Sequence, residues 1–495
     1  MRSVDISGPR TRVRARRWDV VVLGSALPGL IAAVRLAMRR LRVLLVEEEA
    51  AARLPMGVRE PFFVSAASGS ILDAVLRALA LPLIDRRRLQ QRPVAYQVVL
   101  PGVRLDLGVP ALASEELVAW GLAKPEGARA LVRGLAEAAA AERDALLEAA
   151  IVRASRLPGL PRGATSPRLP RHARGLPDEV SHPTAALAPL FEAQVRALIQ
   201  VATQTAAPEA RARLIGGALE GGAWFESAED SLLGLLRRRL QALHGEIRLL
   251  PGRFELVSVG ELAGVAPAQS DDVWFGRALV LNAPLGPLTD WLATPPKPAK
   301  AADSTAAKPG GSAEKPQGSA GAAPDFLPAP GPLRRLGWVA LEIDAEVLPE
   351  GMTRRVLRVG DPTQPLEGAN LLRIALFPER QGREVVAIAS FLLPAAEIEQ
   401  DLELEHEVVE AVLELMPFAR GRVRRLAPLP RPRWDDDLAL EDPAPGSGWP
   451  GEVDLRLLSR PPVYRLAREQ VGVLGVEGDC LLGWRAGEAI LAELG

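Results

Sequence analysis

The chain of 495 residues carries a net charge of −1 at neutral pH, which excludes bulk attraction to nucleic acid or to an anionic bilayer. Its length suggests about three domain-lengths and a sizeable buried core. The single cysteine, Cys480, excludes an intramolecular disulfide framework and suits a reducing, cytoplasmic compartment. The histidines His172, His182, His244 and His406 show no metal-ligand spacing, so no metal is expected.

Residues 1–17 form a basic arm, with Arg2, Arg10, Arg12, Arg14, Arg16 and Arg17 against Asp5. Such an arm is expected to be solvated, or to make a weak peripheral contact with a membrane surface or a partner. No apolar core separates these arginines from Asp19, so no signal peptide is expected. Residues 20–23 are a β-branched apolar run suited to a strand buried on both faces. The turn Gly24-Ser25-Ala26-Leu27-Pro28-Gly29 follows at once, then apolar residues at helical spacing over 30–38, then a second buried strand over 43–46 ending in Glu47.

That order of strand, glycine turn, helix, strand and terminal acid predicts a dinucleotide cradle. Gly24 allows the tight turn, and Ser25 and the small Ala26 let phosphates approach the free N–H groups of the helix start. Gly29 lets helix pack on strand, and Glu47 can accept both ribose hydroxyls. A membrane span over 20–34 is excluded, because it is shorter than the roughly 20 residues required and contains Pro28-Gly29.

Further along, residues 114–156 read as helical and 157–183 as an irregular stretch with Arg162, Arg168, Arg171 and Arg174 among prolines. That stretch is expected to be a solvated loop, with a lid or membrane-facing edge as the sharper reading. A helix is expected near 183–205. Residues 216–221 repeat the Gly-x-Ala-x-x-Gly string, but charged residues at helical spacing precede them and no acid-ended strand follows, so no second nucleotide site is expected. Residues 296–332 are rich in Pro, Ala, Gly, Ser and Lys, and predict a disordered linker before a strand at 337–343. A helix over 395–415 with an acidic face completes the middle of the chain.

The spacing from Gly24 to Glu47, and the closing segment GVLGVEGDCLLGWRAGEAILAEL over 472–494, resemble flavoproteins of the phytoene desaturase and flavin-containing amine oxidase superfamily. The resemblance implies an α/β fold: a Rossmann-type FAD-binding domain with a discontinuous α+β substrate domain. It places the FAD domain at 18–70, 210–295 and 456–495, and the substrate domain at 71–209 and 333–455. It implies a last strand ending in Gly478-Asp479, with Asp479 on the ribitol and the backbone from Gly483 to Ala486 at the flavin pyrimidine. It also puts Phe254 or Val257 beside the adenine, a substrate-domain hairpin at 93–107 turning at Pro101-Gly102, and an Ala-Pro turn within 275–292. Two departures stand out. The family's Gly-Gly-Arg cluster after the ribose acid is missing, although Arg53 and Arg59 are present, and Ala26 replaces the middle glycine.

The activity implied is FAD-dependent oxidation or desaturation of an apolar small molecule by hydride transfer to the flavin. Amine chemistry is disfavoured, because four of the lysines (Lys297, Lys300, Lys308 and Lys315) lie in the linker and leave only Lys124, while Tyr96 and Tyr464 are the sole tyrosines. No catalytic residue is assigned. The alternative is a non-catalytic binding protein of the same fold, similar to GDP-dissociation inhibitors, or a degenerate structural member; loss of the paired glycines favours the binding protein, whereas retention of Glu47 and Gly478-Asp479 favours a flavin.

Overall fold

The computed structural model describes residues 2–3, 14–149, 151–153, 176–202, 206, 208–226, 230–268, 270–292, 326–378, 383–397, 399–427, 431–443 and 453–495. Two large sheets organise it. In the first, Glu246–Leu250, Val43–Glu48, Arg14–Leu23, Asp272–Leu281 and Pro462–Arg465 run parallel in that order. The strands Phe254–Val259 and Leu262–Pro267 extend it antiparallel along the first part of Asp272–Leu281. The central strands are buried throughout: Val20 to Leu23 and Val43 to Val46 are sealed from solvent, as their unbroken apolar runs require for a sheet covered on both faces.

The helix Leu27–Ala37 covers one face, packed between Leu232–Ala242 and the closing helix Val476–Leu494. Small residues set the closeness of that packing. A Cβ on Gly483 would lie 2.5 Å from the Pro28 carbonyl oxygen and 2.8 Å from the Ile31 Cβ. The second sheet runs Val423–Arg425, Leu333–Asp344, Glu384–Leu392, Leu371–Pro378, Arg355–Val359, Val94–Leu100 and Val103–Gly108. Its pairs are antiparallel except where Arg355–Val359 meets Val94–Leu100. Leu341, Ile374 and Phe391 pack on Val408 and Val412 of the helix Leu402–Leu415. No helix among the described residues is long and apolar enough to cross a membrane.

Several expectations shift. Residues 14–17 belong to the first strand rather than to an arm, with Arg16 and Arg17 exposed on it, and Arg2-Ser3 pairs with Val257-Ser258. Charge hid the strand because a sheet edge tolerates solvated arginines. The helical stretch 114–156 is two helices, Pro110–Ala119 and Pro125–Glu148, separated at Gly121 (φ +69°) and Pro125. The helix expected near 183–205 is Ala188–Leu198. The acidic helix starts at Leu402, where the Asp401 side chain accepts the Leu404 N–H at 2.7 Å. Residues 216–217 end the helix Pro208–Gly217, which removes the second glycine string as a nucleotide turn. The linker at 296–332 and the irregular stretch at 157–183 fall largely outside the described residues.

The largest correction is at the C-terminus. The strand expected to end in Gly478-Asp479 does not form. Gly472–Leu474 is a short 3-10 turn, Gly475 takes φ +64°, and Gly478 and Asp479 lie in the first turn of the closing helix. The strand that joins the parallel sheet is Pro462–Arg465.

Gly483→Ala should lower stability by roughly 1–3 kcal/mol through overpacking of the two helices, despite the better helix propensity of alanine. Thermal melting of the purified variant checks this; an unchanged or raised melting temperature would show that the contact has room.

Candidate functional site

The glycine turn forms as its sequence requires. Gly24 has φ +106°, and a Cβ there would sit 2.0 Å from the Asn282 carbonyl oxygen. Gly29 faces the Asn282 side chain, which would lie 2.1 Å from an added Cβ. Asn282 follows the strand Asp272–Leu281, and its amide donates to the Ala26 carbonyl at 3.1 Å. Asn282 thus stitches the turn to the neighbouring strand. Ala26 is the N-cap of Leu27–Ala37 and offers no side-chain acceptor to the helix start.

What lies on the turn is the protein's own chain. The Asp435 carboxylate accepts the Ser25 backbone N–H at 2.8 Å and lies 2.6 Å from the Ser25 hydroxyl. Residues 433–435 are held there by the acid next to the expected ribose ligand. Glu48 accepts the backbone N–H groups of Arg433, Trp434 and Asp435 at 2.7 to 2.9 Å. The indole of Trp434, wholly buried, stacks edge-on against Phe254 with ring centroids 5.2 Å apart. Phe254 is the residue expected beside an adenine. An aromatic ring and an anion from residues 434–435 therefore take the places expected for adenine and pyrophosphate.

Glu47 is sealed from solvent and fully engaged on one oxygen. It receives the Ser25 hydroxyl at 2.9 Å and the Arg59 guanidinium at 3.2 Å, and it also pairs with Arg237 of the helix Leu232–Ala242. Its other oxygen, Oε2, has no hydrogen-bond partner. Arg59 continues to Asp435 at 3.7 Å and to Asp437 at 3.1 Å.

Ser25 has one hydroxyl proton between two carboxylates. It also accepts from Arg59 at 3.1 Å. The chain is complete when Asp435 is protonated and donates to Ser25 while Ser25 donates to Glu47. Burial pushes Asp435 up to about 7, with the Glu47 charge adding to the rise and Arg59 opposing it.

At the far end Arg468 takes over. It pairs with Asp479 at 2.9 Å and donates to the Asp437 carbonyl at 2.8 Å. Asp479 is buried, with Oδ1 unpaired, and burial pushes it up to about 6. Gly478 packs against the Val471 carbonyl, while Gly483 and Ala486 are buried mid-helix. Those two do not present a helix start to a ring, which corrects their expected role. Beyond Arg468 opens a cleft between the second sheet and the helices Ala188–Leu198, Pro208–Gly217 and Val476–Leu494, with Phe63, Leu198, Leu336, Ile388 and Leu440 among its walls.

Of the residues named from sequence, Gly24, Ser25, Ala26, Gly29, Glu47 and Phe254 converge at one end of this groove, and Asp479 reaches the other. Sequence reasoning missed Glu48, Arg237, Trp434, Asp435, Asp437 and Arg468. The signals available were faint: an acid doubled after Glu47, and a tryptophan followed by three aspartates in a proline-rich stretch.

No family model matches the chain, and no curated protein sequence does. Solved structures do match. A putrescine oxidase variant from a redesign of cofactor binding gives a TM-score of 0.55 at 13% identity, over 97% of this chain and 100% of that one. Wild-type putrescine oxidase bound to putrescine gives 0.52 at 12% identity over the same shares. A Pyrococcus furiosus protein gives 0.50 at 13% identity, over 96% and 98%. The fold is that of FAD-binding, amine-oxidase-like oxidoreductases. In this conformation Asp435 takes the Ser25 donors, and Trp434 the face of Phe254, that the sequence resemblance assigns to pyrophosphate and adenine.

Two outcomes follow from these buried charges. Burial raises Asp435 and Glu60 to about 7, and Asp436 and Asp479 to about 6, from ordinary values of 3.8 for aspartate and 4.5 for glutamate. Between those limits the folded chain holds protons that the unfolded chain has released, so stability falls as pH rises, by up to about 1.4 kcal/mol per pH unit and group. Melting temperature should be higher near about pH 5 than near about pH 8, and Asp435→Asn, which mimics the protonated form, should flatten the slope. A melting temperature that climbs from acid to base would contradict this. Arg59→Met should cost roughly 3–5 kcal/mol, because it leaves buried carboxylates without their cation; a denaturant titration measures it.

Proposed function

We propose that this chain is a non-catalytic, ligand-binding member of the FAD-oxidoreductase fold, its nucleotide cradle filled from within. The observation that carries this reading is the Asp435 carboxylate on the Ser25 N–H and hydroxyl. A pyrophosphate seated at the start of the helix Leu27–Ala37 needs those same donors. Trp434 against Phe254, and the arginines on Glu47, support it independently. The missing Gly-Gly-Arg cluster points the same way. Function then rests on the cleft beneath the second sheet, whose apolar wall residues suit a small apolar molecule.

A second reading has one observation in its favour. Glu47 and Asp479, the two acids assigned from sequence to the ends of FAD, each keep one buried oxygen unpaired. In that reading residues 433–437 withdraw, FAD supplies the hydride acceptor, and an apolar substrate is oxidised in the cleft. The absorption spectrum of freshly purified protein, followed by titration with FAD, separates the two. A colourless protein whose melting temperature ignores excess FAD is expected. A yellow protein, or one that FAD stabilises, would establish the second reading instead.

A further inference from the structure

The charged residues of the cleft pair off, with one exception among the cations. Arg59 pairs with Asp437, Arg213 with Glu477, and Arg468 with Asp479. Arg373, on the strand Leu371–Pro378, also lines the cleft and has no ion pair among the described residues. Its side chain donates to the Ala197 carbonyl at 3.2 Å, and its remaining nitrogens are not among the sealed, unpaired atoms. Its electrostatics agree. Burial lowers its guanidinium to about 10 and no neighbouring carboxylate raises it, whereas carboxylates hold Arg59 and Arg213 high.

Glu60 is the remaining cleft acid, and it is committed elsewhere. It caps the helix Leu232–Ala242 by accepting the Leu232 N–H at 2.9 Å, and the cation facing it is Arg355 rather than Arg373. The cleft therefore holds a half-buried guanidinium without a counter-ion among the described residues, in a cavity whose walls include Leu198, Leu336, Ile388 and Leu440. A half-buried cation of this kind gains from an anion that joins it in a low-dielectric cleft.

We infer that the cleft binds a small monocarboxylate with an apolar body, its carboxylate paired with Arg373 and its body against the leucine-rich walls. Guanidinium and carboxylate match in a planar, bidentate geometry. A monoanion balances the one unpaired charge, whereas a phosphate dianion would leave excess negative charge in a low-dielectric site. The proposal rests on the reading that no flavin ring fills the cleft.

The test is calorimetric titration of the full-length protein with decanoate and with decanol, after recording its absorption spectrum. Wild type should prefer decanoate by about tenfold or more, which is 1.4 kcal/mol. Arg373→Gln should lose the preference and Arg373→Lys should keep part of it. In the ligand-free state Arg373→Gln should melt no lower than wild type, since it removes an uncompensated charge; a merely structural arginine would give a lower value. A colourless wild type that binds both molecules equally, or neither, overturns the carboxylate site alone. So does a preference that survives in Arg373→Gln. A yellow protein that still shows the Arg373-dependent preference overturns the self-filled cradle alone.

Discussion

Arg59 gathers three carboxylates in a volume from which water is excluded. Glu47, Asp435 and Asp437 all lie within 3.7 Å of its guanidinium, and each comes from a different turn of the architecture or a different position along the incoming segment. Such a cluster survives burial only if its charge is nearly balanced and its lone pairs are met. Arg237 supplies a second cation at Glu47, and the rise of Asp435 toward neutrality removes one negative charge. The rest follows from this balance: residues 433–437 are held on the first sheet, the glycine turn is capped, and the path along the groove to Arg468 is fixed.

The dinucleotide motif is explained here without a dinucleotide. Gly24 and Gly29 are required by the close approach of Asn282. Ser25 is required as the bridge between Glu47 and Asp435, and Glu47 as the counter-ion of Arg59 and Arg237. Every residue that reads as a nucleotide ligand also has a partner within the chain. A motif of this kind reports a helix N-terminus with free donors and a nearby acid. It does not report which anion meets them.

That distinction marks the limit of what the sequence reveals. The strands around the turn are legible because buried parallel strands leave unbroken apolar runs, and the hairpin Val94–Leu100 to Val103–Gly108 is legible because Gly102 sits at its turn with φ +74°. The last strand that the resemblance implies gives way to a helix because Gly475, at φ +64°, turns the chain into its start, while Pro462–Arg465 is short and carries an arginine. Trp434 and Asp435 leave no periodic trace at all. Their hydrogen-bond partners Glu48 and Ser25 lie 386 to 410 residues away, and pairing over that distance depends on tertiary geometry rather than on local pattern.

The origin of the filling segment bears on stability. Residues 433–437 lie in the chain between Val423–Arg425 and Ala439–Glu441, both of which pair with Leu333–Asp344 of the second sheet. By docking on Ser25, Glu47 and Glu48 they tie together two bodies that a loose linker would leave free to move. In a protein that binds a cofactor, the ligand stabilises such a groove by mass action, in proportion to its concentration over its dissociation constant. Here the equivalent groups are covalently attached, so their effective concentration is fixed by chain geometry and does not fall with dilution. The helix start and the aromatic shelf at Phe254 are met by groups of the same chain, while Glu47 keeps one buried oxygen without a partner.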